Sequence, residues 1–270
     1  MQSFKKQSSL IIIFLILIPL VLFFYNRIKL KEPDDLIQII DSLKKEIIIK
    51  DKNYQQLKEM APKVRIKRID EDSIVLFEPV EVSIELTHNR PQIDSETFLC
   101  VPAAFTSPQI TIEGLFFENG ILINDSEPTI QNGTCIVKSN NIEILETTDI
   151  DRSFIESNKY SLFQQILLIY NSQIIECNIW GNRRYLRRAL IIKNNKYFIA
   201  ESYYPVSIST FQRQLQNIGT LHAIYLDMGT WSEGWVKDCN GEIIIIGENM
   251  INTNRQTNWI VFKSTNRTSP

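Results

Sequence analysis

RALIIKNNKYFIAES, from Arg188 to Ser202, is the segment on which the fold turns. Two runs rich in β-branched and aromatic residues flank Asn194 and Asn195, and asparagine tolerates the left-handed backbone of a tight reversal, so the segment reads as a β-hairpin. Toward the C-terminus, Ser209 followed by Gln212 fits a capping box. Ile208, Phe211, Leu215 and Ile218 recur at helical spacing, and Gly219 stands where a C-terminal cap belongs, which together predict a short helix. AIYLD, Ala223 to Asp227, then reads as a buried strand ending in an acid, ahead of a polar loop that runs to Trp235. A carboxylate at the mouth of a buried strand is costly unless it is partnered or used. Asp227 is therefore the first candidate for chemistry.

Toward the N-terminus, FFENGILI (Phe116 to Ile123) carries Asn119-Gly120, the strongest short hairpin signal in the chain. Cys135 to Leu145 repeats the pattern around Asn140 and Asn141, and Val64 to Glu85 alternates enough to predict strands. A helix is expected near Ser161 to Tyr170. The domain thus reads as α+β, a mixed, mostly antiparallel sheet with a few helices. No internal repeat or low-complexity linker interrupts it.

With 270 residues, 44% of them hydrophobic and 22% charged, the chain can bury a sizeable core in one main domain, placed at residues 63–270. A net charge of -2 lacks the basic footprint of a nucleic-acid binder. The cluster Arg183, Arg184, Arg187 and Arg188 is read as a solvated loop with one functional arginine. Leu10 to Tyr25 is almost wholly apolar and approaches the roughly 17 to 20 residues that a membrane span needs. Residues 1–31 are therefore expected to be a membrane anchor or signal, and an uncleaved transmembrane helix is favoured because no small-residue cleavage signature follows. The domain is placed outside the cytoplasm, in the periplasm or at the cell surface. Within residues 32–62, Leu36, Ile40, Leu43, Ile47, Tyr54, Leu57 and Ala61 keep a helical spacing. That helix is either a stalk through which two copies could pair, making a homodimer through residues 36–61, or an amphipathic helix resting on the domain.

Only two histidines occur, His88 and His222, which excludes a multi-histidine metal centre and disfavours a Ser-His-Asp triad. His222 is read as a packing residue. Cys100, Cys135, Cys177 and Cys239 form no CxxC pair, so they make two disulfides or stay buried thiols. There is no GxGxxG, Walker loop or GxSxG motif, and neither a metal nor a cofactor is expected.

The order Arg187, hairpin, helix closed by Gly219, LDMG with a downstream Ser232, and NWIVF (Asn258 to Phe262) resembles the phosphodiester glycosidase family. Its uncovering-enzyme type, an N-acetylglucosamine-1-phosphodiester alpha-N-acetylglucosaminidase, removes N-acetylglucosamine from a sugar phosphodiester. The resemblance extends back to VPAAF (Val101 to Phe105) and Gly114, and covers roughly Leu99 to Lys263. Asp227 matches the aspartate of the family's Asp-Gly-Gly-Gly-Ser-Ser loop, Gly229 its second glycine, Ser232 its last serine, and Arg187 an arginine ahead of the hairpin. Pro102 stands where the family has asparagine, Met228, Thr230 and Trp231 replace two glycines and a serine, and Thr106 replaces a phenylalanine. The chain resembles a divergent member.

The resemblance implies a membrane-anchored, extracytoplasmic hydrolase of a sugar phosphodiester or related envelope glycan, with a carbohydrate or sugar phosphate as its partner. Such cleavage needs a cation for the phosphate and carboxyl groups for protons or charge. Arg187 and Asp227 fill these roles, and Glu201 or Glu113 would supply the second carboxylate of a two-carboxylate mechanism. Thr106, Gly229, Ser232 and Asn258 are the polar groups expected to orient substrate. Trp231 and Trp235 would stack on a sugar face or close the core. The alternative is a catalytically inactive glycan-binding or scaffold protein of the envelope, favoured by Pro102 and the lost loop glycines.

Overall fold

Turn chemistry sets the local geometry. In the computed structural model, hairpin reversals fall on pairs of residues in the left-handed region, where short polar side chains carry little steric penalty: Asp72-Ser73, Asn119-Gly120, Asn171-Ser172 and Asn194-Asn195. The structure describes residues 65–265 except 128–129, 131, 139–140, 148–149, 178, 230, 233, 239 and 248–251. The chain divides into two units, Met1–Ala61 and Pro62–Pro270, and every described residue lies in the second.

In chain order the strands are β1 (Ile66–Glu71), β2 (Ile74–Pro79), β3 (Val82–Thr87), β4 (Thr97–Pro102), β5 (Leu115–Glu118), β6 (Ile121–Asp125), β7 (Gly133–Lys138) and β8 (Asn141–Glu146). Helix α1 (Arg152–Ser157) separates these from β9 (Ser161–Gln165), β10 (Leu167–Tyr170), β11 (Gln173–Ile174), β12 (Arg188–Lys193) and β13 (Lys196–Ser202). Helix α2 (Ile208–Asn217) precedes β14 (His222–Leu226), β15 (Trp235–Lys237), β16 (Ile243–Ile245) and β17 (Trp259–Ser264). They build a seven-stranded sheet, β1-β2-β13-β12-β14-β10-β11, and two five-stranded sheets, β16-β15-β4-β17-β3 and β6-β5-β9-β7-β8. Every strand pairing in them is antiparallel.

Strand alternation gives the large sheet two apolar faces. Leu190, Ile199, Ile224 and Leu226 join the main core with residues from the two smaller sheets. Ala189, Ile191, Phe198, Ala200 and Tyr225 face the other way, onto Ile208, Phe211 and Leu215 of α2. The predicted apolar stripe of α2 is fully buried, and Gly219 follows it at φ +80. Its N-cap is Ser207, whose hydroxyl accepts from the Thr210 N–H, and not the predicted Ser209.

The expected α+β class is corrected to antiparallel sheets, with only two short α-helices among the described residues. The helix expected near Ser161 to Tyr170 is instead the strand pair β9 and β10. Residues 161–169 are buried on both faces, and an apolar run without alternation does not distinguish a helix from a two-sided strand. No helix among the described residues is long and apolar enough to cross a membrane. The apolar run at residues 10–25 and the predicted helix at 36–61 lie outside the described residues. Cys135 and Cys177 are thiols, so the two-disulfide arrangement is not formed.

Candidate functional site

The site grows from alternation at one end of the large sheet. Arg187 immediately precedes β12, while Tyr225 and Asp227 lie two residues apart at the end of β14, the strand hydrogen-bonded to β12. These three side chains turn to the α2 side and line one cavity of about 410 Å³, with Phe105, Trp180, Arg183, Tyr185, Met228 and Gly229. That volume suits a small ligand. Phe105, Trp180 and Tyr225 form a continuous aromatic wall, with ring centroids 5.3 to 6.1 Å apart.

Arg187 is 1% exposed, and no carboxylate among the described residues lies within ion-pairing distance of it. Its guanidinium donates from Nε to the Val206 carbonyl at 3.3 Å, from Nη2 to the Arg183 carbonyl at 3.2 Å and from Nη1 to the Tyr225 hydroxyl at 3.5 Å. It also lies 4.5 Å from the Trp180 ring centroid and 5.1 Å from that of Tyr185. Carbonyl dipoles and ring faces thus hold the cation, and no acid among the described residues neutralises its charge. The arginine cluster expected to be a solvated loop is split: Arg187 and Arg188 are buried, and Arg183 and Arg184 are exposed.

Asp227 anchors the opposite side. Its N–H donates to the Ala103 carbonyl at 3.0 Å, and its Oδ1 accepts from the Gly229 N–H at 3.0 Å. Burial pushes its carboxyl up to about 6, although the Gly229 and Thr106 N–H groups, the Gln256 side chain and the Arg188 charge all favour the ionised form. Burial likewise raises the Tyr225 hydroxyl, against the pull of Arg187.

The other expected residues occupy different stations. Gly229 lines the cavity. Thr106 lies behind Asp227, its hydroxyl 2.9 Å from that of Thr257 and accepting from Gln256 at 3.2 Å. Ser232 donates to the Asp227 carbonyl at 3.4 Å and accepts from Arg188 at 3.3 Å. Asn258 brackets Ala104, accepting from its N–H at 2.7 Å and donating to its carbonyl at 3.0 Å. Glu201 is buried, does not line the cavity, and accepts from Arg188 Nε at 2.6 Å. Glu113 does not line it either. His222 packs against Tyr170, with centroids 5.0 Å apart. Trp235 is buried with Cys100, Trp259 and Val261, whereas the Trp231 ring meets Arg255 at 4.8 Å.

Tyr225, Trp180, Gln256 and Arg188 are not among the site residues expected from the sequence. Alternation from Asp227 points to Tyr225. Trp180 reaches the site from the loop seven residues ahead of Arg187 and Gln256 from a loop remote in sequence, and no local pattern marks either.

No protein-family model matches the chain, and no curated protein matches it. Among solved structures, it is similar to the catalytic domain of zebrafish N-acetylglucosamine-1-phosphodiester alpha-N-acetylglucosaminidase, auto-inhibited by its pro-peptide. The match has a TM-score of 0.51 at 13% identity and covers 75% of this chain and 82% of that one. A hypothetical protein from Synechocystis matches with a TM-score of 0.45 at 9% identity, over 74% of this chain and 62% of that one. The first of these matches gives the chain a glycosidase-like fold.

Proposed function

We propose that this chain is a hydrolase that releases a sugar from a phosphodiester or a related anionic glycan. The observation that carries the proposal is the placement, in one cavity, of a buried guanidinium with no acid partner among the described residues and a carboxyl raised toward neutrality. Arg187, with Arg183 at the exposed side, would hold the phosphate, and the aromatic wall would meet the sugar ring. At neutral pH Asp227 is mostly ionised. It accepts a proton from water as the water oxygen bonds to the anomeric carbon, and the bond from that carbon to the phosphate oxygen breaks with its electron pair leaving on the phosphate. A phosphate leaving group is already a stable anion beside Arg187, so departure needs no second carboxyl as proton donor. This accommodates Glu201 outside the cavity.

The test is incubation of the purified chain with a panel of sugar phosphodiesters, with released sugar detected and Asp227→Asn as control. Release by the wild type that is lost in the variant supports hydrolysis. The presence of a single carboxyl among the described cavity residues, with Met228 in place of a family glycine, favours a second reading: an anionic-glycan binder without turnover. Saturable binding without product would establish it. A location outside the cytoplasm, resting on the apolar run at residues 10–25, is part of the proposal. Cleavage of the domain by protease added to intact cells would support it, and protection would refute it.

A further inference from the structure

Arg188 is fully buried, yet it does not reach the cavity. In register it stands opposite Glu201 on β13 and Leu226 on β14, the residue before Asp227. Its three nitrogens go to three different segments. Nε donates to Glu201 at 2.6 Å, Nη1 to Ser232 Oγ at 3.3 Å, and Nη2 to the Ile246 carbonyl at 3.2 Å. Ser232 passes the connection on by donating to the Asp227 carbonyl. The surrounding backbone is shaped to the guanidinium: a Cβ on Gly234 would come within 2.6 Å of Nη2, and one on Gly247 within 2.7 Å. Real Cβ atoms do not approach so closely, so these two positions are closed to side chains while Arg188 holds its place.

We infer that the Arg188–Glu201 pair is the positioning device of the cavity, tying the loop that carries Asp227 to the strand that Arg187 immediately precedes and setting the field at the Asp227 carboxyl. Because Arg187 and Arg188 are consecutive, the strand that presents one cation to the cavity anchors the opposing acid through the other. Arg188 lies close enough to favour the ionised form of Asp227, and Glu201 offsets part of that charge. Among the described residues, the other groups facing Asp227 are the Gly229 and Thr106 N–H groups and Gln256, which favour ionisation, while Arg187 and Tyr225 share its cavity. The inference rests on Asp227 as the functional acid of the site, but its first readout needs no substrate.

The experiment is a carboxyl-carbon NMR titration of Asp227 in the full chain, assigned by its loss in Asp227→Asn. Arg188→Met removes a positive neighbour and should move the midpoint upward by at least about half a unit; Glu201→Gln leaves Arg188 unopposed and should move it downward. The double variant Arg188→Met/Glu201→Met removes both charges without leaving either buried alone, which guards against a single variant that fails to fold. Its midpoint should fall between those of the single variants. Arg188→Lys keeps the charge but loses the three-way bridge, so the midpoint should hold while turnover falls about 10- to 100-fold at little change in KM. Shifts of the same sign in both single variants, or none, would reduce the pair to packing and overturn the inference. Opposite shifts in a protein that turns over no sugar phosphodiester would uphold the device and sink only the hydrolase.

Discussion

Arg187 and Arg188 are adjacent in sequence, buried, and directed to opposite faces of the same sheet, the first beneath Trp180 at the cavity and the second against Glu201 on the far side. One is without an acid partner among the described residues, and the other has one at 2.6 Å. A buried guanidinium left unneutralised at a cavity wall is an anion site, whereas a neutralised one is architecture.

Arg187→Met, which keeps much of the stem's packing, should therefore weaken anion binding. Calorimetric titration with a sugar phosphodiester is expected to show a loss of at least about tenfold in affinity, as for a charge-assisted hydrogen bond. Arg187→Lys should recover only part of it, because the planar fork is lost. Unchanged affinity in Arg187→Met would exclude Arg187 as the anion ligand.

The Asp227 carboxyl is held at about 6 against 3.8 for the free group, so the folded chain binds its proton more tightly than the unfolded chain. Stability is then lost as pH rises from about 4 to 6, and the cost stays constant above that, on the order of 3 kcal/mol at most. Asp227→Asn should melt higher than the wild type at pH 8 and close to it at pH 4. The activity of the wild type should fall on the acid side, through a limb near pH 6. A variant that melts lower at pH 8 would contradict the buried, raised carboxyl.

Trp180 supports Arg187 and completes the aromatic wall. Trp180→Ala should weaken ligand binding by about 1 to 2 kcal/mol, while Trp180→Phe should retain part of it. Equal affinities across all three forms, measured by ligand-induced fluorescence or calorimetry, would remove the ring from the site.

Asn258 is fully buried and hydrogen-bonds both backbone polar groups of Ala104. Asn258→Ala strands both and should cost about 2 to 4 kcal/mol of stability in denaturant unfolding, with any loss of activity following from loss of fold. A stable, inactive Asn258→Ala would instead place this side chain on the substrate.

Much of the scaffold was legible because its causes are local. Asn194-Asn195 and Asn119-Gly120 announce their hairpins through backbone positions that few other residues tolerate, and α2 announces its buried stripe through a spacing that spans three turns. Asp227 stood out as an acid closing an apolar strand. The segment at 161–170 misled, since burial on both faces removes the alternation that identifies a strand. Nothing local could separate Arg187 from Arg188, or show that Glu201 would neutralise one of them. The partners of Arg188 lie 13 to 58 residues away, and Arg187 adds Val206 and Tyr225, 19 and 38 residues away, to its nearer neighbours; the distant ones are chosen by register and by which face of the sheet each strand presents. Local backbone preference thus set the turns, the helix and the order of strands. The assembly of three sheets decided which charges were neutralised and which remained to meet a ligand, because charge pairing depends on distances that only the packed chain defines.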